Sequence, residues 1–119
     1  MELLKLREGL KIKIQNKYQE PLREFVNVAL EKYGEKIESI ILFGSVARGE
    51  GKGDSDIDIL IVTKEEDFRL RRALIGIAFD ILMQTEEMIS VKALSKEEFE
   101  RHKNFSFLRN VISEGVKVV

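Results

Sequence analysis

Two aspartates separated by one residue, Asp56 and Asp58, are the best candidates for chemistry in this chain. They begin a β-branched segment, residues 57–62, that predicts a buried strand. Alternate side chains of a strand share a face, so both carboxylates point one way while Ile57 and Ile59 point into the core. Two carboxylates roughly 6 to 7 Å apart repel each other unless a cation lies between them. Mg2+ takes such oxygen ligands together with substrate phosphates, so the pair predicts a magnesium–nucleotide site.

A turn upstream of the aspartates has the composition of a phosphate-binding turn. Gly44 ends an apolar segment, and a glycine lets backbone approach a ligand closely. The residues after it begin a predicted helix, whose first amides favour an anion. Ser45 offers a hydroxyl donor, and Arg48 lies one helical turn further on the same face. Together these residues predict a site that would orient a triphosphate.

Each half of this arrangement is ordinary alone. Gly44-Ser45 alone is typical of a strand-to-helix turn with a capping serine, and the acid pair alone is equally typical of a solvated strand start. Their joint occurrence, ten residues apart and between two apolar strands, favours a nucleotide site. Phosphoryl-type transfer needs mainly alignment and charge neutralisation, which these two halves supply. The sequence shows no obvious general base.

The elements around these residues predict an α/β (α+β) domain. Residues 37–43 predict the first strand, 57–62 the second and 89–94 a third, with a final edge strand over 116–119. A helix with Pro21 in its first turn is predicted to end at Gly34. Further helices are predicted over residues 65–86, 96–101 and 105–113. On the first of these three, Asp80 lies on the mostly polar face and is expected to face solvent.

The first twenty residues are predicted to be a helical extension, with the domain proper spanning residues 21–119. This helix is inferred from apolar residues among many charges: Leu3, Leu4, Leu6, Leu10, Ile12 and Ile14. A kink at Pro21 would join it to the next helix.

Composition excludes several classes of protein. A chain of 119 residues is the size of one domain, and no window approaches the roughly 18 apolar residues of a membrane span. The first residues lack the apolar core of a secretory signal, so we expect a cytoplasmic protein. The absence of cysteine excludes disulfides, thiolate metal sites and cysteine nucleophiles. A formal net charge of −1 makes nucleic acid an unfavoured partner, and the oligomeric state stays open.

The motif resembles a known family. Gly44-Ser45, ten residues and Asp56-Ile57-Asp58 resemble the Gly-Ser-x10-Asp-x-Asp signature of minimal nucleotidyltransferases in the DNA polymerase beta superfamily, and the likeness extends loosely from about Pro21 to the end. The resemblance implies a small mixed β-sheet flanked by helices, with Mg2+ at Asp56 and Asp58. It also implies a triphosphate at Gly44 and Ser45 and ATP as the usual substrate. Similar proteins pair with HEPN-domain toxins and act as antitoxins that adenylylate them, so a HEPN-domain partner is implied as an acceptor.

One position departs from that resemblance. The superfamily pattern implies a third carboxylate on the next strand, where this chain has only Met, Ile, Ser, Val and Lys at residues 88–92. Asp80, Glu86 and Glu87 stand close enough in sequence to substitute only if the element boundaries differ by a few residues. Two functions therefore stay open: an Mg-dependent transferase that moves a nucleoside monophosphate from ATP to a hydroxyl, and a catalytically degenerate, nucleotide-binding partner of a HEPN-type toxin.

Overall fold

The structure, a computed structural model, describes the backbone of residues 2–5 and 11–119 and the side chains from Lys13 onward. The central feature is a four-stranded sheet in the order β5-β4-β3-β6. Its strands are β3 (Ile37–Phe43), β4 (Ile57–Thr63), β5 (Ile89–Ser95) and β6 (Val116–Lys117). β3 pairs antiparallel with β4 and β6, while β4 and β5 are parallel. The predicted mixed α/β fold is confirmed.

Among the described residues, five helices flank this sheet. α1 (Asn16–Tyr33) is followed by a 3-10 turn (Gly34–Lys36), and the four-residue α2 (Gly44–Ala47) follows β3. α3 (Phe68–Thr85) is the parallel crossover between β4 and β5, and α4 (Lys96–His102) and α5 (Ser106–Glu114) come after β5. None of the described helices is long and apolar enough to cross a membrane.

The strand β4 is apolar on both faces because helices cover both. Ile57, Ile59 and Ile61 are buried in a core shared with α1 and α3. Leu60 and Val62 point the other way and are buried against α5. This continuous apolar segment is what a parallel strand in the middle of a sheet requires. It fixes the direction of the side chain at position 58, which lies on the α5 face.

The helix predicted for the N-terminal residues is wrong over residues 2–5 and 11–14, whereas residues 16–20 are helical. Residues 2–5 and 11–14 form antiparallel strands, β1 (Glu2–Lys5) and β2 (Lys11–Ile14), rather than a helix. The alternation of lysine and isoleucine over residues 11–14 has the period of two that a strand needs, which helical reasoning overlooked. Predicted helical positions 6 and 10 lie outside the described residues.

α1 also begins earlier than predicted. It starts at Asn16, which puts Pro21 in its second turn, not its first. Tyr18 is fully buried, and this burial stabilises the additional turn ahead of the proline. The division of the chain after residue 20 therefore falls inside a helix and stays a prediction.

Candidate functional site

The site begins where β3 ends. Phe43 pairs with Asp58 across the antiparallel strands, so Gly44 follows directly beside the Asp58 side chain. Gly44 has φ +77°, a left-handed conformation in which a side chain is strained. A methyl group on its Cα would come within 2.3 Å of Asp58 Oδ2. Only glycine leaves room for the carboxylate, and this contact brings the two halves of the sequence motif together.

Asp58 is a half-buried carboxylate that is strained electrostatically. Its pKa is raised, mainly because burial disfavours the charged form and secondly because Asp56 lies nearby. Lys92 and Arg48 act in the opposite direction and lower the same pKa. Asp56 stands just before β4 and is exposed. The structure thus brings the two predicted acids close enough to repel, and a cation between them would relieve that repulsion.

The oxygen atoms at this site are suitable ligands for a hard cation. Both carboxylates supply oxygen ligands, and the half-buried Ser45 is placed one residue beyond Gly44 at the start of α2. The Ser45 hydroxyl makes no hydrogen bond with any described residue, so it is available to a ligand. Mg2+ commonly uses one or two protein carboxylates and completes its shell with water and phosphate oxygens. Asp56 and Asp58 are the residues that would hold it.

Arg48 lies near the pair but is engaged elsewhere. Its Nε donates to Glu50 Oε2 at 2.9 Å, and its Nη1 donates to Glu114 Oε1 at 3.1 Å. The hydrogen bond with Glu50, ahead of the nearby charge of Glu114, raises the pKa of Arg48. Arg48 is predicted from the sequence to lie beside a phosphate, but its two carboxylate partners are not, and a triphosphate would have to displace or share them.

The three acids considered as a third carboxylate do not join the pair. Asp80 is exposed on α3, which packs on the sheet face opposite Asp58. Glu86 is exposed just past that helix with φ 65°, and Glu87 forms an ion pair with Lys17 at 3.2 Å. Within residues 13–119 no cluster of three acidic or histidine side chains could hold a metal.

The loop that leads into Asp56 is fixed by residues that sequence reasoning left out. Lys17 on α1 donates to the carbonyl of Gly53 and also pairs with Glu87. Within the loop, Ser55 Oγ accepts from the amide of Lys52 at 2.8 Å. Lys17 lies within the predicted N-terminal extension, and no sequence pattern connects it to the site. Its contacts are visible only after the chain has folded.

A second missed residue lies on the neighbouring strand. Ser90 pairs with Asp58 in the parallel register, and Lys92 follows two residues later on the same face. The Lys92 ammonium lies 5.9 Å from the centre of the Phe107 ring. The absence of an acid from this strand is evident from the sequence, whereas the position of its lysine beside Asp58 is evident only from the strand register.

Comparison with known proteins finds a family model and a relative that match this chain. A family model described as a nucleotidyltransferase domain matches residues 22–118. A Methanocaldococcus jannaschii protein named as a protein adenylyltransferase is 43% identical over 94 residues, which cover 79% of this chain and 90% of that protein.

Two solved structures share the fold. The structure of a toxin–antitoxin with AMP-PNP is similar with a TM-score of 0.56 and 21% identity, covering 88% of this chain and 73% of that one. A minimal nucleotidyltransferase structure is similar with a TM-score of 0.52 and 26% identity, covering 82% of this chain and 92% of that one.

Proposed function

The chain belongs to the nucleotidyltransferase domain family, and we propose that it transfers AMP from ATP, with Mg2+, to a hydroxyl group of a partner protein or small molecule. One observation carries this proposal: the Asp58 carboxylate lies against the backbone of Gly44 and beside Asp56. A triphosphate bound at the turn would therefore lie next to the acid pair. The name of the archaeal relative supports a protein as the acceptor.

Each site residue has a distinct part in this proposal. Asp56 and Asp58 hold the magnesium, and their repulsion in its absence gives the site a preference for a dication. Gly44 lets the phosphates approach the backbone, while Ser45 donates a hydrogen bond to a phosphate oxygen. Arg48 neutralises phosphate charge once it is released from Glu50 or Glu114. When bound, Mg2+ would withdraw charge from the phosphate oxygens and favour departure of pyrophosphate.

The transfer is a substitution at the α-phosphorus. The acceptor oxygen forms a bond to that phosphorus, and the bond from the α-phosphorus to the oxygen that bridges to the β-phosphate breaks. Pyrophosphate leaves, and the hydroxyl proton passes to solvent. Among the described residues no third carboxylate lies with the pair to take this proton. General-base assistance typically contributes about 10²- to 10⁴-fold, so we expect slow turnover.

Transfer of label from α-³²P-ATP tests the activity directly. The full chain is incubated with Mg2+ and with the purified proteins encoded beside it, and labelled products are separated by electrophoresis. Label should appear on an acceptor only with Mg2+ and only when the label is at the α position. If the chain binds Mg-ATP but labels none of these acceptors, it is not a protein adenylyltransferase for them.

Calorimetry of ATP binding tests the site independently of the acceptor. The double variant Asp56→Asn, Asp58→Asn should lose the magnesium-dependent part of binding. Asp54→Asn, an exposed acid in the same loop, is the matched control and should bind as the natural chain does. Equal binding by the double variant and the natural chain would remove the acid pair from the proposal.

A second candidate function is that of a nucleotide-binding antitoxin that acts by association with a HEPN-type toxin. An exposed apolar surface beside β5 favours it: Ile75, Phe79 and Met83 on α3 are 49%, 57% and 68% exposed, and Met88 is 47% exposed. β5 is an edge strand, so its outer backbone groups are available to a partner. Apolar patches of this kind commonly mark protein–protein contacts.

Co-purification with the helical protein of a neighbouring gene distinguishes this function. Phe79→Ser should weaken the complex, whereas Ile112→Ser, which removes an equally exposed apolar side chain from α5, should not. A complex that forms equally well with the natural chain and with Asp58→Asn, while the natural chain itself transfers no AMP, would favour the antitoxin over the enzyme.

A further inference from the structure

The neighbour of the acid pair across the sheet is a cation. β4 and β5 run parallel, and Asp58 is paired with Ser90. Lys92 lies two residues further along β5, so its side chain projects from the same face as Asp58 and Ser90. The spacing of neighbouring strands and the rise per residue place the Cα atoms of Asp58 and Lys92 roughly 8 Å apart. A lysine is long enough to bring its ammonium to the acid pair.

The charge of Lys92 is not neutralised by another side chain. No carboxylate among residues 13–119 forms an ion pair with it, and its ammonium lies over the ring of Phe107, 5.9 Å from the ring centre. Its charge nevertheless reaches Asp58, because Lys92 lowers the Asp58 pKa that burial and Asp56 raise. The pair of acids therefore has a fixed positive charge on its β5 side.

This arrangement limits how many divalent ions the site can hold. Sites with two metal ions keep them roughly 3.5 to 4 Å apart, and both ions need oxygen ligands from the protein. Here two carboxylates are present and no third joins them in the described residues. A lysine ammonium has donors only, so it cannot be a ligand and it repels a second dication.

We propose that Lys92 supplies the positive charge that a second metal ion would supply, so that this domain holds one divalent ion for each bound nucleotide. The inference rests on the proposed nucleotide site and deepens it. In this arrangement Asp56 and Asp58 hold the single ion, and the Lys92 ammonium approaches the bound phosphates from the β5 side. The lysine is therefore part of the binding site and not merely an exposed residue of an edge strand.

The number of ions can be read from electron paramagnetic resonance of Mn2+. The full chain is loaded with Mn2+ and α,β-methylene-ATP, in which the bond that would break is replaced by a stable one. The natural chain should give the six-line spectrum of isolated Mn2+ ions. Lys92→Asp exchanges the repelling charge for a third carboxylate and should give the broadened spectrum of two coupled ions.

Two further variants separate charge from ligand number. Lys92→Gln removes the ammonium without adding a ligand, so the spectrum should stay that of isolated ions while affinity for the analogue falls about three- to tenfold. Lys103→Gln removes the same charge from the end of α4 and should change neither property. Lys92 is exposed, so all these chains are expected to fold, which circular dichroism can verify.

The outcomes distinguish this inference from the proposed function. Coupled ions in the natural chain would overturn the role of Lys92 but support nucleotide binding. Isolated ions in Lys92→Asp, or an unchanged affinity in Lys92→Gln, would show that the side chain at position 92 does not act on the bound ion and phosphates, and would overturn the inference. Failure of every variant and of the natural chain to bind Mn2+ with the analogue would overturn the nucleotide site and this inference together.

Discussion

β4 and β5 lie side by side, run in the same direction and present opposite charges on one face. β4 offers a half-buried carboxylate at position 58, while the paired positions on β5 are a serine and then a lysine. The strands also differ in burial, because β4 is covered on both faces whereas β5 is an edge strand with a more exposed middle. The charge of the site is therefore determined by individual side chains at paired positions of the two strands. Substitutions on the two strands should therefore have very different effects.

The largest effect is expected from matched substitutions at the paired positions. Asp58→Asn should lower the rate of AMP transfer by about 10²- to 10³-fold, because it removes one of the two carboxylates that hold the cation at the reacting phosphate. Ser90→Ala, directly across the strand pair, should change the rate less than tenfold. Single-turnover measurements with saturating Mg-ATP give both rates. Comparable losses would mean that β5 contributes as much as β4.

Gly44→Ala should be the most damaging change to the fold of the site. The alanine must adopt φ near +77° and its methyl must displace Asp58 Oδ2, so we expect unfolding free energy to fall by about 1 to 3 kcal/mol. Urea unfolding measures this loss. In an Asp58→Ala background the same glycine substitution should cost less, because the closest contact, with Oδ2, is gone and only the 3.3 Å contact with Cβ remains. An equal loss in both backgrounds would assign the whole effect to backbone strain.

Asp58 should reduce the stability of the metal-free protein. Its pKa is raised in the folded state, so the folded state binds the proton more tightly than the unfolded state does. Stability from this group is present at pH below its unfolded-state pKa and is lost as pH rises through the folded-state pKa.

Asp58→Asn should accordingly raise unfolding free energy near neutral pH in chelator, by less than about 1 kcal/mol because solvent screens part of this half-buried charge. The gain should diminish at acidic pH, where the natural carboxyl is protonated. Thermal unfolding across that pH range checks the sign. A gain that is constant with pH would mean that the Asp58 charge is not responsible.

The smallest effect is expected from releasing Arg48. Glu114→Gln removes one of its two carboxylate partners, so ATP affinity should rise by about two- to threefold, within the energy of an exposed ion pair. Lys117→Gln alters a nearby exposed charge that has no part in this pair and is the control. Calorimetry at low and moderate salt measures both, and the gain should decrease as salt screens the charges.

Strong local patterns made most of the central sheet predictable. The apolar segments at 37–43 and 57–62 correspond to β3 and β4 within a residue, because both strands are buried on two faces. The predicted solvent exposure of Asp80 is also confirmed. α3 begins at Phe68 and not at residue 65, because the Asp67 side chain accepts hydrogen bonds from the amides of Arg69 and Leu70, both at 3.0 Å.

The sequence did not reveal the contacts that join distant segments. The motif predicted that Gly44 and Asp58 belong together, since spacing and resemblance both connect them. The engagement of Arg48 by Glu114 links residues 66 positions apart, and no periodic pattern records such a pair. No role is predicted for Lys92 for a related reason. Its position beside Asp58 depends on the register of β5 against β4, which is visible only in the folded chain.

The contacts of Lys17 bear on how small a working version of this domain can be made. Its ammonium joins α1, the carbonyl of Gly53 and the carboxylate of Glu87, and it precedes residue 22, where the family match begins. A fragment trimmed to that match would keep every residue of the motif yet leave the segment before Asp56 without this anchor. We therefore expect a working fragment to begin before residue 22 and to include Lys17, a side chain that takes no part in the chemistry.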